Sequence, residues 1–132
     1  MPWDPSQYLK FAGHRLRPAI DLLGRVNLDS PSIVYDLGAG AGNVTELLAT
    51  RWPDARVIGV DNSEEMLQQA GERAANIEWE VGDIGSWAPK EPAELIFTNA
   101  ALHWIGDHTD LFTRLMSSIT IGGIFAVQMP RN

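Results

Sequence analysis

The feature that most constrains the fold is a glycine-rich loop between a short apolar run and a helix-like pattern. The apolar run covers residues 33–37, contains Asp36, and leads into Gly38, Gly40 and Gly42. Glycine reaches backbone angles that other residues avoid, and its missing Cβ lets a ligand approach the main chain. A helix that starts beyond such a loop offers unpaired N–H groups and the positive end of its dipole. The segment therefore predicts a strand, a ligand-binding turn and a helix in succession.

Strand-like and helix-like patterns alternate along the whole chain. Apolar spacing predicts helices over residues 14–26, 42–52, 63–74 and 107–119, and strands over residues 33–37, 56–61, 77–81, 94–98 and 124–128. Asn62 has the position of a helix N-cap, and Gly122 with Gly123 is expected to end the last helix. Such alternation favours an α/β fold, a Rossmann-like doubly wound and mostly parallel sheet with helices on both faces.

Four polar side chains fall at or just after the ends of predicted strands. They are Asp36, Asp61, Asp83 and Asn99. Ligands of open parallel sheets bind beyond the carboxyl ends of the strands, where the strand order reverses. We therefore expect these four residues to converge on one site.

Two of these acids have a specific ligand chemistry and an ordinary alternative. Asp61 can accept hydrogen bonds from both hydroxyls of a ribose, or it can serve as a helix-capping acid. Asp83 can accept a hydrogen bond from the exocyclic amine of adenine while Ile84 covers a ring face, or it can be a surface turn acid. The positions at strand ends favour the ligand roles.

The spacing of the glycines separates two classes of cofactor. A dinucleotide fingerprint needs G-x-G-x-x-G, and Asn43 stands where its last glycine would be. Asp61 alone would also allow a nicotinamide-dependent oxidoreductase. The missing glycine, and the pair Asp83 and Ile84, argue against that class.

Charge and composition exclude several other kinds of protein. The net charge is −7, which argues against a nucleic-acid partner. Residues 1–25 hold four basic and two acidic residues, so this segment could attract a small anion or form a solvated helix face. The chain has no cysteine, which excludes a disulfide scaffold and fits a cytoplasmic location. It has no apolar run of membrane-spanning length, so no membrane partner is expected.

Together the motifs resemble the class I S-adenosylmethionine-dependent methyltransferases. The resemblance rests on Asp36-x-Gly38-x-Gly40-x-Gly42, Asp61, Gly82-Asp83 and Asn99-x-x-x-His103-Trp104. It implies S-adenosylmethionine as the cofactor and S-adenosylhomocysteine as the product. The cofactor-binding residues that it implies are Asp36, Gly38, Ala39, Gly40, Asp61, Asn62, Met66, Asp83, Ile84, Asn99 and Ala100.

A narrower resemblance concerns the substrate. Residues 3–11, residues 15–19 and the run Leu102-His103-Trp104 are similar to members of the family that esterify a small tricarboxylate. This implies a small anionic substrate, a polycarboxylic acid such as trans-aconitate. A carboxylate is already ionised at neutral pH, so no catalytic base is expected, and no metal ligand is expected either. The residues assigned to the substrate side are Gln7, Tyr8, Arg15, His103 and Trp104, although His103 and Trp104 could equally be structural.

The resemblance also predicts the organisation of the chain. Residues 1–30 would be a helical segment on the lid or substrate side, or simply docked on the core. Residues 31–132 would be a cofactor-binding domain with five of the family's usual seven strands. The fifth strand would then have an open apolar edge, which favours self-association. Because two of the seven strands would be missing, a cofactor-binding half-domain without turnover is the alternative to an active methyltransferase.

Overall fold

The computed structural model of the protein describes residues 17–40, 42–73, 76–83, 86–99 and 108–128. These residues form four helices and five strands. The helices are α1 (Arg17–Gly24), α2 (Asn43–Arg51), α3 (Glu64–Arg73) and α4 (His108–Met116). The strands are β1 (Ile33–Leu37), β2 (Arg56–Asp61), β3 (Glu78–Val81), β4 (Ala93–Asn99) and β5 (Ile119–Gln128).

The five strands form one sheet in the order β3-β2-β1-β4-β5, and every neighbouring pair is parallel. The chain runs outward from β1 to β3 and then returns to the other side of β1 as β4. The order therefore reverses between β1 and β4, which is the position where ligands bind in sheets of this kind. The predicted doubly wound fold is confirmed.

Both faces of the central strands are buried, which explains their continuous apolar runs. On one face, Val34, Val57 and Phe97 share a core with residues of α1 and α2 such as Leu23 and Leu48. On the other face, Tyr35, Leu37, Ile58 and Ile96 pack with Leu111 and Leu115 of α4. Helices on both faces thus fix the sheet, and the described part of the N-terminal helical segment belongs to the first core.

Side chains at the end of α2 are hydrogen-bonded to the end of α1 and to the segment that follows it. Arg51 donates hydrogen bonds to the carbonyls of Leu23 and Val26, the latter at 2.7 Å. Its guanidinium also stacks 4.4 Å from the centre of the Trp52 ring. Trp52 donates from Nε1 to the carbonyl of Leu28 at 3.1 Å. These bonds satisfy carbonyls at and beyond the C-terminus of α1, which has no further helical turn to accept them.

Two sequence-based boundaries were wrong. Helix α4 ends at Met116, and β5 already begins at Ile119, where Ala93 is its partner. The next pair is Leu95 with Ile124, so the glycines belong to an irregular register within the strand. Gly122 has φ +86°, which supplies the local bend without ending a helix there.

The N-cap of α3 is Ser63 rather than Asn62. The Ser63 hydroxyl accepts the backbone N–H of Met66 at 3.3 Å, which is the third helical position counted from Ser63. Ser and Asn are nearly equivalent as caps, so the sequence could not decide between two adjacent candidates.

Candidate functional site

The glycine loop folds back over the end of β2. Gly38, Gly40 and Gly42 all have positive φ angles, of 79°, 57° and 91°. The amides of Gly38 and Ala39 both donate to the carbonyl of Val60, at 2.7 and 2.9 Å. Residues other than glycine pay a steric penalty at such angles, so the loop needs this composition to turn so tightly.

Asp61 connects the loop to the start of α3. One carboxylate oxygen accepts the Gly40 amide at 2.9 Å, and the other accepts the Ser63 amide at 3.0 Å. Each carboxylate oxygen has a second lone pair, so the group can still accept hydrogen bonds from a ligand. The position beside the loop fits the predicted ribose role, which stays a prediction.

Asp36 lies beneath the loop and is 2% exposed. Its carboxylate accepts the hydroxyl of Thr45 on α2 at 2.7 Å. Burial raises the pKa of Asp36 to about 7, the Thr45 hydrogen bond acts against that increase, and the Asp61 charge adds to it. This position fits the predicted role of orienting the loop from below.

Met66 borders the open side of the loop. Among the described residues, the nearest atom to a Cβ built on Gly40 would be the terminal methyl of Met66, at 3.8 Å. Met66 is 36% exposed. Asn62, which does not cap α3, is exposed between β2 and α3. Within the described residues, a ligand that approaches Gly40 would therefore meet Met66.

Asp83 lies at the neighbouring strand end and is exposed. The amide of Gly82 donates to the carbonyl of Asp61 at 2.9 Å, so the two strand ends are joined directly. The Asp83 carbonyl accepts the amides of Ser86 and Trp87, at 3.0 and 2.7 Å. The end of β2, which carries Asp61, and the segment with Asp83 are therefore adjacent at the carboxyl edge of the sheet, and the ligand roles of the two acids stay predictions.

Trp87 is a contributor that the sequence analysis missed. It is buried, its ring makes an edge contact with Tyr35 at 4.9 Å, and its Nε1 donates to the Glu80 carboxylate. It therefore anchors the turn that follows Asp83. A lone large aromatic among the mostly small residues of segment 85–90 was the available signal.

Thr98 is a second missed residue, at the point where the strand order reverses. It is fully buried and donates from its hydroxyl to the carbonyl of Leu37 at 3.0 Å. This bond joins the carboxyl ends of β4 and β1 just below the glycine loop.

Asn99 ends β4, where its backbone pairs with Gln128, at the same edge as Asp36 and Asp61. The other predicted residues lie outside the described residues. They are Gln7, Tyr8, Arg15, Ile84, Ala100, His103 and Trp104.

A cavity of about 510 Å³ lies at the opposite, amino edge of the sheet, lined by residues such as Ser32, Trp52 and Arg56. None of the predicted site residues that the structure describes lines it. The described residues contain no group of three or more side chains placed to hold a metal ion. In the same part of the chain, no helix is long and apolar enough to cross a membrane.

The carboxyl edge thus combines the close-approach side of Gly40, the carboxylates of Asp61 and Asp83, and the apolar side chain of Met66. Carboxylates accept hydrogen bonds from hydroxyl and amino groups, and a thioether packs well on aromatic rings. This combination suits a nucleoside with a polar substituent.

A family described as a methyltransferase domain matches residues 34–123. The trans-aconitate 2-methyltransferase of Azoarcus sp. (strain BH72) is 52% identical over 130 residues, which cover 98% of this chain and 51% of that protein. The enzyme of the same name from Variovorax paradoxus (strain S110) is 48% identical over 133 residues, covering 100% of this chain and 51% of that protein.

A methyltransferase of solved structure has a similar fold. An S-adenosylmethionine-dependent methyltransferase from Mesorhizobium loti superimposes with a TM-score of 0.75 and 28% sequence identity. The match covers 89% of this chain and 54% of that one. The chain therefore spans about half the length of the relatives that it matches.

Proposed function

This chain belongs to the S-adenosylmethionine-dependent methyltransferase family, and from that premise we propose that its glycine-loop edge binds S-adenosylmethionine for methyl transfer to a small carboxylic acid. The observation that carries the proposal is the Asp61 carboxylate. It is held by the Gly40 and Ser63 amides at the end of β2 and keeps lone pairs for a ribose. Asp83 and Met66 lie beside it, on the side where adenine would follow the ribose.

We propose trans-aconitate as the first acceptor to test. The support is the identity of about half of all aligned residues with enzymes that carry that name. An ionised carboxylate oxygen attacks the methyl carbon while the sulfur leaves with its bonding electrons, so no proton has to be removed. The protein would act by aligning oxygen, carbon and sulfur and by excluding water. The cysteine-free sequence fits a reducing compartment, and we propose the cytoplasm as the location.

Calorimetric titration of the chain with S-adenosylhomocysteine tests the cofactor, and NAD serves as the control ligand. We expect saturable binding of S-adenosylhomocysteine alone, and weaker binding by Asp61→Asn, which exchanges an acceptor oxygen for a donor. Asp29→Asn is the matched control, because Asp29 lines the cavity at the other edge of the sheet. Binding of NAD in place of S-adenosylhomocysteine would contradict the proposal.

The reaction is tested by mass spectrometry after incubation with S-adenosylmethionine and trans-aconitate. A gain of one methyl group on the acid is the expected result. The alternative function is cofactor binding without turnover. In that case the chain binds the cofactor but transfers no methyl group to any polycarboxylic acid, and the two functions are separated by this one assay.

A further inference from the structure

Trp79 of β3 lies directly below the glycine loop. Its side chain extends across β2, so that a Cβ built on Gly59 would lie 2.6 Å from two atoms of its six-membered ring. The far end of the same ring reaches the loop, where a Cβ on Gly42 would lie 2.9 Å from Cη2. Real Cβ atoms do not approach carbon so closely, so both glycines are needed to admit the ring.

The register of the sheet explains why the ring reaches the loop. Gly59 pairs with Trp79 on one side and with Asp36 on the other. Paired residues of parallel strands point to the same face, so Asp36, Gly59 and Trp79 form one row under the loop. Because Gly59 has no side chain, the indole fills the middle of the row.

Glycine is therefore required at Gly40 and at Gly42 for different physical reasons. In the part of the chain that the structure describes, only the Met66 methyl, at 3.8 Å, lies near a Cβ built on Gly40, so the missing side chain leaves room for a ligand there. At Gly42 the missing side chain leaves room for Trp79, and the Cβ of Ala70 would also lie only 3.0 Å away. The ring is thus packed between the loop, β2 and α3.

The shape of the Trp79 ring matters more than its polarity. Its Nε1 is buried and has no hydrogen-bond partner among the described residues. A buried N–H without an acceptor is unfavourable, so hydrogen bonding does not account for an indole at this position. The six-membered ring, by contrast, makes both close approaches.

We propose that Trp79 is a positioning residue for the cofactor, which acts by supporting the glycine loop from below. The inference rests on the proposed function. A loop with three glycines can adopt many conformations. A ligand that binds only one of them has its affinity reduced by the fraction of molecules in that conformation. The indole removes alternatives in which the loop sinks toward β3, so that the Gly40 amide stays bonded to Asp61.

A matched pair of Trp→Phe variants tests this role. Trp79→Phe shortens the ring that reaches Gly42 and Gly59 and breaks no hydrogen bond among the described residues. Trp52→Phe breaks the bond from Nε1 to Leu28 at the far end of α2. We expect Trp52→Phe to lower the melting temperature more, and Trp79→Phe to weaken S-adenosylhomocysteine binding more, by about tenfold. If affinity instead follows melting temperature in both variants, the role is merely structural and the proposal is wrong.

Hydrogen exchange gives a readout that needs no ligand. The amides of Gly38, Ala39 and Gly40 are bonded to Val60 and Asp61, so their exchange reports on loop order. We expect faster exchange of these amides in Trp79→Phe than in Trp52→Phe. Equal exchange in the two variants would overturn the proposal, and so would faster exchange with unchanged affinity. If the unaltered chain binds no S-adenosylhomocysteine, the proposed function fails, and the exchange comparison alone decides whether Trp79 orders the loop.

Discussion

The Asp36 carboxyl group is buried, and burial opposes its ionisation. The carboxylate is 2% exposed, and its partner among the described hydrogen bonds is the Thr45 hydroxyl. Its pKa is raised from 3.8 to about 7, mainly by burial. The folded chain therefore binds a proton between these two pH values that the unfolded chain has lost. It follows that the contribution of Asp36 to stability is largest below about pH 4 and is lost as the pH rises through about 7.

Asp36→Asn should remove this pH dependence. The amide keeps an oxygen for Thr45 and carries no charge. Each pKa unit corresponds to about 1.4 kcal/mol, so the variant should gain up to about 4 kcal/mol of unfolding free energy over the unaltered chain as the pH rises from 4 to 8. Urea unfolding of both proteins across this range measures the difference. A difference that stays constant with pH would show that Asp36 does not titrate there.

Thr45→Val tests the partner of the same charge. Valine has nearly the same shape but leaves the buried carboxylate without the bond of 2.7 Å. We expect a loss of about 1–3 kcal/mol in the free energy of unfolding at pH 8, because a buried acceptor is left unsatisfied. Thr45→Ser keeps the hydroxyl but loses the methyl group, so it is the control for a change in packing without loss of the hydrogen bond. Equal losses in the two variants would mean that packing, and not the hydrogen bond, explains the effect.

At the scale of elements, the sequence predicts best where the signal is local. The apolar run that contains Asp36 is adjacent in sequence to the glycine loop, Asp61 ends the next strand along the chain, and the structure brings the loop and Asp61 together. The start of β5 was missed because it depends on pairing between Ile119 and Ala93 of another strand. Trp79 read as an ordinary strand residue, since its contacts with Gly42 and Gly59 exist only after the sheet has formed.

Gly42 and Gly122 have similar backbone angles but different surroundings, so their alanine variants separate the cost of backbone strain from the cost of packing. Gly42 has φ +91° and Gly122 has φ +86°. A Cβ on Gly122 would have no atom within 4 Å, whereas one on Gly42 would lie 2.9 Å from Trp79. Gly122→Ala should therefore lose only the backbone term of about 1–2 kcal/mol. Gly42→Ala should lose about 1–3 kcal/mol more, because the ring cannot give way without moving β3.

Denaturant unfolding of both glycine variants measures these losses. The additional loss in Gly42→Ala should shrink when Trp79→Phe is present, since the shorter ring leaves room for the new methyl group. The loss in Gly122→Ala should be the same in either background. If the loss in Gly42→Ala does not change with Trp79→Phe, contact with the ring is not its cause.

At the scale of the whole molecule, the two outer strands of the described sheet differ in character. Strand β3 has four residues, two of which are acidic, and Glu78 pairs with Arg56 of β2 at 2.9 Å. Strand β5 has ten residues and no charged side chain, and Ile121 is fully exposed. Charged side chains and short length are the usual protection of a sheet edge, so β3 is protected and β5 is not.

We therefore expect this chain to self-associate through β5, with an apparent mass that rises with concentration in sedimentation velocity. Ile121→Lys should shift the distribution toward the monomer, because a charge on an edge strand opposes pairing with a second strand. Met116→Lys is the matched control, since it makes the same charge change at an apolar side chain that is 54% exposed on α4, outside β5. If both variants shift the distribution equally, the loss of exposed apolar surface, and not the edge of β5, explains the shift. If only Ile121→Lys does so, the edge of β5 is where the copies meet.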